Sequence, residues 1–448
     1  MNSEFLKIIK LDDLDYRELL EGGVSVSEET DALVEKILAD IKEDGTDAII
    51  GYISKFDSYS PQGLGQVKVS AKEVEEASQN IKNKYKGLVN ALDFSTANIT
   101  DFHQQQLKHE TKSWFVNLSK GKRLGQIVNP IERVGIYVPG GRYSYPSSLL
   151  MSTIPAVVAG VKEIVVVTPP NERGKIDETT LFLCQKLGVS EIYKIGGAQA
   201  IGLLAYGAGT VKKVDKIVGP GNIYVTLAKK KVYGKVGIDS LAGPSEIVII
   251  ADESAKASYV AADLISQAEH DPNSRSILLS GREFAEQVSA EMAIQIEGLS
   301  EQYPDNGKVV LQSVSNNCML IYDEDIYRLL EVANKIGAEH LEITCREQEK
   351  ILKKVRNAGT IFIGNYTPVA VGDYTAGTNH VIPTSGNARF ASPLGVYDFF
   401  KRSSVVYYSK TALAKEREAL EKLAESERLY GHRNSIKIRF NKGKENEN

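Results

Sequence analysis

Between residues 134 and 364, apolar runs of three to six residues alternate with segments of helical period, and this rhythm narrows the fold more than any other feature. Strands are expected at 134–139, 163–168, 191–195, 216–218, 246–251, 276–279, 318–322 and 360–364. Helices are expected between them at 146–160, 178–187, 198–206, 223–233, 257–270, 282–299 and 325–337. Runs such as EIVVVT at 163–168 are apolar at consecutive positions rather than alternate ones, so both faces of such a strand must be covered. Short apolar strands separated by helices build parallel sheets. The chain therefore reads as α/β, with two parallel sheets, one inserted within the sequence of the other.

The flanks have a different texture. Residues 32–44 and 71–106 carry helical periods, 114–127 is extended, and 411–428 is a charged helix. Residues 365–400 form a long stretch rich in Gly, Thr, Asn and Pro. A loop of that length inside a domain is usually functional, and this one holds Asp373 and His380. The end, NKGKENEN at 441–448, has the composition of a disordered tail.

A chain of 448 residues exceeds one ordinary core, so two or more domains are expected. The net charge of -4 speaks against a nucleic-acid binder. The basic runs 229–231 and 120–123 read as solvated faces. Three cysteines, Cys184, Cys318 and Cys345, show no paired spacing. They read as buried thiols in a reducing compartment, which leaves nitrogen and oxygen ligands for any metal. The acidic, mixed N-terminus has no signal-peptide or transit-peptide character, and no run approaches the ~18 apolar residues of a membrane helix. A cytoplasmic protein is expected.

Of six histidines, His103 and His109 sit in a polar helical stretch and read as solvated. The other four have chemical company. Gln267 and His270 are three residues apart and can share a helix face, which offers an oxygen and an imidazole to a divalent ion. A helix-end histidine also serves as a cap. Glu339 and His340 are adjacent, so no helix face presents both. At the end of an element they can enter one pocket as an acid–base pair. Asp373 and His380 are bracketed by Gly372 and Gly377, which suits either a ligand site or an Asx turn. Glu427 and His432 lie near the end of the charged helix, where the bland reading is His432 beside the negative end of the helix dipole and Glu427 solvated.

The GxGxxG fingerprint of dinucleotide sites is absent. Gly196-Gly-Ala-Gln199 and Gly219-Pro-Gly-Asn222 are nevertheless glycine-bearing turns between a strand and a helix, a position that suits anions. Spacing alone leads to an α/β enzyme with a metal site built from nitrogen and oxygen.

Taken together the segments resemble the histidinol dehydrogenase family. The pieces are VGIYVPGG (134–141), IGGAQAI (195–201), VDKIVGPGN (214–222), DSLAGPSE (239–246), LISQAEHDP (264–272), AEHLEI (338–343), GDYTAGTNHVIPT (372–384) and ERLYGH (427–432). The resemblance covers nearly all of residues 30–435. It departs at Ala338, where the family commonly has proline.

The resemblance implies two incomplete Rossmann-like parallel-sheet domains and two small, mainly helical or extended ones. The expected division is a segment 1–32, a first Rossmann-like domain of 33–136 with 247–391, an inserted second one of 137–246, and a small domain 392–448. The activity it implies is oxidation of L-histidinol through L-histidinal to L-histidine with two NAD, the last step of histidine biosynthesis. One zinc ion per subunit would be held by Gln267, His270, Asp373 and His432. Substrate would meet Ser245, Gln267, His270, Glu339, His340, Asp373, His380, Glu427 and His432, with Glu339 and His340 catalytic. NAD would meet Tyr137, Gln199 and Asn222. The resemblance further implies a homodimer in which Glu427 and His432 reach the neighbouring subunit's site. Three other readings compete: a related dehydrogenase of another small alcohol, a non-catalytic binding protein on this fold, and a zinc hydrolase using Glu339 as base. The hydrolase would leave one α/β unit without a task.

Overall fold

A computed structural model describes residues 6–21, 27–57, 59–110, 112–140 and 144–440. Strand β1 (Lys7–Lys10) precedes, among the described residues, six α-helices, of which Glu28–Asp44 and Thr46–Phe56 matter below. β2 (Trp114–Ser119) and β3 (Lys122–Pro130) form a hairpin. β4 (Arg133–Tyr137), β5 (Glu163–Thr168), β6 (Glu191–Lys194), β7 (Lys216–Val218) and β8 (Gly237–Ile238) follow with helices between them. β9 (Glu246–Ala251), β10 (Arg275–Ser280), β11 (Cys318–Tyr322), β12 (His340–Thr344) and β13 (Thr360–Ile363) repeat the rhythm, and β14 (Phe400–Tyr408) is the last strand.

The chain divides into two compact units, one of Met1–His109 with Ile131–Phe399 and one of Glu110–Pro130 with Phe400–Asn448. The first unit holds two sheets in which every pairing is parallel, ordered β1-β11-β10-β9-β12-β13 and β6-β5-β4-β7-β8. The consecutive apolar residues have the reason foreseen. All six residues of β9 are buried, with Ile247 and Ile249 in one core cluster and Val248 and Ile250 in another on the opposite face. In the five-stranded sheet chain order reverses between β4 and β7, and such a reversal opens a crevice at the strands' carboxyl ends. Gly135 in β4 is a packing requirement: a Cβ there would lie 2.8 Å from Leu204 of the covering helix Gly197–Tyr206. At the opposite ends of these strands the buried Arg133 reaches Glu163 at 2.5 Å and Glu191 at 2.7 Å, which ties β4 to β5 and β6.

The second unit holds the antiparallel sheet β14-β3-β2 with the helices Lys410–Ser426 and Tyr430–Lys437. Every residue of β2 is exposed, Trp114, Phe115 and Leu118 among them.

Several local expectations change. Residues 33–136 were grouped with the six-stranded sheet, but Val34, Ile37, Ile41, Ile49 and Ile53 pack in one cluster with Val165, Val167 and Tyr193 of the five-stranded sheet. His103 is fully buried: its Nδ1 meets the Ile99 carbonyl at 2.7 Å and its Nε2 meets Asn379 at 3.4 Å, whereas His109 is exposed as expected. Lys229 is also buried, donating to the Gly219 carbonyl at 3.0 Å and pairing with the buried Asp239. Helix Pro304–Asn317 and strands β1, β12 and β14 were not foreseen. The 365–400 stretch contains a helix, Val369–Tyr374, and short 3-10 turns. All three cysteines are free and buried. The expected tail at 441–448 lies outside the described residues.

Candidate active site

The acid–base candidates sit at the amino-terminal edge of the six-stranded sheet. β12 pairs with β9 so that His340 lies opposite Ile247, which sets Glu339 beside Glu246. The Glu246 N–H donates to Glu339 Oε2 at 2.8 Å. Glu339 and His340 are 5% and 4% exposed, so both work away from bulk water. Burial pushes the Glu339 carboxyl well above the usual range; the neighbouring carboxylates Glu246 and Asp373 push it further, and the Ser245 hydroxyl pulls it back. Glu246 is itself buried, accepting from Ser385 N–H at 3.1 Å and from Arg275 at 3.3 Å.

Burial holds the His340 imidazole down to about 4, against an opposing pull from Asp373, so it is neutral near pH 7. Its Nδ1 faces the Glu246 carbonyl at 3.3 Å, a contact that only an N–H can satisfy. The proton therefore resides on Nδ1 and the lone pair on Nε2, which is buried without a partner. A neutral imidazole with a free Nε2 is built to take a proton.

Asp373 and His380 arrive from helix Val369–Tyr374 and the segment after it. His380 Nδ1 contacts the Asp373 carbonyl at 3.2 Å, and its Nε2 lies 3.4 Å from the Ser148 hydroxyl. Asn379 secures this segment by donating to the Met151 carbonyl at 2.6 Å. The fields of Asp373 and His270 reach both His340 and His380. Gln267 lies in the last turn of helix Ala257–Ala268, while His270 comes just past its end, exposed, its N–H meeting the Gln267 carbonyl at 3.3 Å. The pair shares a turn rather than a helix face. The first unit thus gathers Ser245, His270, Glu339, His340, Asp373 and His380. Glu427 and His432 belong to the second unit, and both are exposed.

Among the described residues no three His, Cys, Asp or Glu side chains form a ready metal cage. The side chain of Gln267 does fit a metal, because both its oxygen and its nitrogen are buried with no partner. An unsatisfied buried amide costs about 1–3 kcal/mol, and a bound ion taking the oxygen offsets part of that.

A second site lies at the carboxyl ends of the five-stranded sheet. There a cavity of 850 Å³ is lined by Asp57, Tyr137, Arg173, Gln199, Asn222 and Tyr224, among others. All three residues assigned to NAD face it. Tyr137 ends β4, and its hydroxyl accepts the Gly197 N–H at 3.2 Å. Asn222 caps helix Ile223–Val232 by accepting two N–H bonds at 3.1 and 3.2 Å. Gly219, at φ +113°, has its backbone so close to β4 that a Cβ would stand 2.1 Å from the Tyr137 carbonyl oxygen. The glycine of that turn is needed for close approach at the point where strand order reverses.

The histidinol dehydrogenase family model matches residues 22–440. The chain belongs to the histidinol dehydrogenase family. It is 42% identical over 442 residues to a histidinol dehydrogenase of Clostridium acetobutylicum, covering 98% of this chain and 99% of that one. It is 45% identical over 425 residues to one of Bacillus cereus, covering 94% and 96%. The crystal structure of histidinol dehydrogenase from Elizabethkingia anophelis superposes with a TM-score of 0.88 at 33% identity, covering 97% of this chain and 98% of that one. The family's members are NAD-dependent oxidoreductases, and the fold and class read from the sequence agree with that membership.

Sequence reasoning missed Asp57, Glu246 and Ser148. Glu246 carried a signal, as a charged residue heading an otherwise apolar buried strand. Asp57, at the end of helix Thr46–Phe56, carried none. No described helix is long and apolar enough to cross a membrane.

Proposed function

We propose that the protein oxidises L-histidinol through L-histidinal to L-histidine with two NAD. The observation that carries this reading is the buried Glu339–His340 pair, with His340 Nε2 open and Asp373 beside it. The substrate is cationic, and Asp373 and Glu339 supply negative charge where it would sit. His340 Nε2 takes the hydroxyl proton as hydride leaves for the first NAD. The aldehyde stays bound. Glu339 then draws a proton from a water that adds to the aldehyde, and hydride passes to a second NAD. A carboxyl held above its usual range by burial is a stronger base once ionised, which suits that task.

A zinc ion would be held by Gln267, His270 and Asp373 of the first unit, with His432 of the partner subunit as the fourth ligand, and the unpartnered Gln267 amide supports this. It would supply positioning, holding the substrate's imidazole and amine; a neutral amide ligand suits orientation better than strong Lewis acidity. We place Glu427 of the partner subunit beside the same substrate. The exposed apolar residues of β2 and the exposed Leu429 and Tyr430 give the second unit a surface suited to a homodimer. The buried free thiols suit the cytoplasm.

His340→Asn tests the assignment. It removes the Nε2 acceptor and should lower kcat by about 10²–10⁴. The NAD affinity should be unchanged, because the cofactor cavity is built by other strands. A variant with native kcat would contradict the role given to His340.

A further inference from the structure

The floor of the 850 Å³ cavity contains a carboxylate that the account above leaves without a task. Asp57 is 9% exposed and faces two donors. The Gln199 amide nitrogen donates to its Oδ2 at 3.0 Å, and the Gly196 N–H, at the start of helix Gly197–Tyr206, approaches the same oxygen at 3.4 Å. A carboxylate can only accept, so the Gln199 NH₂ must turn toward Asp57. The Gln199 carbonyl oxygen is then forced to the other side. The amide lies over Gly197 with the oxygen nearer: a Cβ on that glycine would stand 2.8 Å from the oxygen and 3.3 Å from the nitrogen. Both Gly197 and Gln199 line the cavity.

We propose that Asp57 is a positioning residue that makes Gln199 present its carbonyl oxygen, rather than its amide nitrogen, to the nicotinamide cofactor. This rests on the reading that the cavity holds NAD. The cofactor group opposite Gln199 is then a hydrogen-bond donor, a ribose hydroxyl or the carboxamide NH₂, and not a phosphate oxygen. Phosphate has no proton to offer and would be repelled by the carbonyl. Asp57 also places a protein anion at the amino-terminal end of helix Gly197–Tyr206, where the Gly196 N–H approaches it.

The test is NADH binding to the full-length protein, followed by NADH fluorescence without substrate, together with KM for NAD and for L-histidinol. Asp57→Asn offers Gln199 an amide and lets its side chain turn over. It should weaken NADH binding and raise KM for NAD by about tenfold, the loss of one well-made hydrogen bond. The KM for L-histidinol should not change. Gln199→Glu alone sets two carboxylates face to face and should also bind NADH weakly. The exchanged pair Asp57→Asn with Gln199→Glu restores one acid facing one amide and again leaves an acceptor over the cavity, so its affinity should recover above either single variant. A role confined to folding predicts no recovery. The exchanged pair also keeps the test open where a single variant folds poorly. Native NADH affinity in Asp57→Asn while Gln199→Ala binds weakly would overturn the role of Asp57 alone. Native affinity in Gln199→Ala would overturn the cofactor reading and the proposal together.

Discussion

Replacing Glu339 by Gln should make the protein more stable and less active. The side chain is 5% exposed, it accepts the Glu246 N–H at 2.8 Å, and the carboxylates of Glu246 and Asp373 act on it. Gln keeps the shape and can still accept that N–H, but it removes a buried negative charge from beside two others. Because the folded carboxyl is held well above 4.5, the ionised form costs stability, and that cost grows as pH rises from 4.5 toward the folded value. Glu339→Gln should therefore gain about 1 kcal/mol at pH 8, of the size seen when functional strain is relieved. The gain should shrink near pH 5, where the native carboxyl is already protonated. On the scale of about 2–4 °C per kcal/mol for a domain of 150–250 residues, the melting temperature at pH 8 should rise by about 2 °C. Activity should fall unequally. NADH formation from L-histidinal should drop by about 10²–10⁴, since general-base activation of water is lost, whereas the first oxidation should fall less than about tenfold. Melting at both pH values and single-turnover NADH bursts from each substrate read these quantities. Equal loss of both oxidations, or a lower melting temperature at pH 8, would refute the reasoning.

Gln267→Ala should lower bound zinc per subunit below that of the wild type by metal analysis of purified protein, and an unchanged zinc content would remove Gln267 from the ligand set. Subunits carrying Glu339→Gln and subunits carrying His432→Asn, each defective alone in forming NADH from L-histidinal, should regain that second oxidation when dissociated and reassembled together. One intact site forms in each mixed dimer if His432 serves the neighbouring subunit, and no recovery would place it in its own subunit's site.

Much of this fold was legible because apolar runs buried on both faces leave a strong trace. The strand at 163–168 has the foreseen bounds, and β9 agrees as well. What escaped was set by partners distant in sequence. β12 reads HLEIT, whose Glu342 is 3% exposed, and a charged residue inside a buried strand breaks the pattern on which such strands are recognised. His103 and Lys229 have polar neighbours in sequence, yet Asn379 and Asp239 cover them in the fold. Helices in the 33–136 stretch carry a clear amphipathic period, but the period says that a face is buried and not which sheet buries it. Glu339 and His340 were legible as a pair because both are acid–base residue types. Their burial, and the Glu246 carbonyl that fixes the His340 proton on Nδ1, come only from the β9–β12 register. Asp57 was invisible: a lone acid at a helix end gains its meaning from Gln199, more than a hundred residues away.

The central claim is a four-electron oxidation of L-histidinol at the Glu339–His340 site. The measurement that tests it most directly is NADH formed per L-histidinol consumed by zinc-loaded protein, with an EDTA-stripped control. The account predicts two NADH per substrate, lost on stripping and restored by zinc. No NADH from L-histidinol, or one NADH with release of the aldehyde, would contradict it.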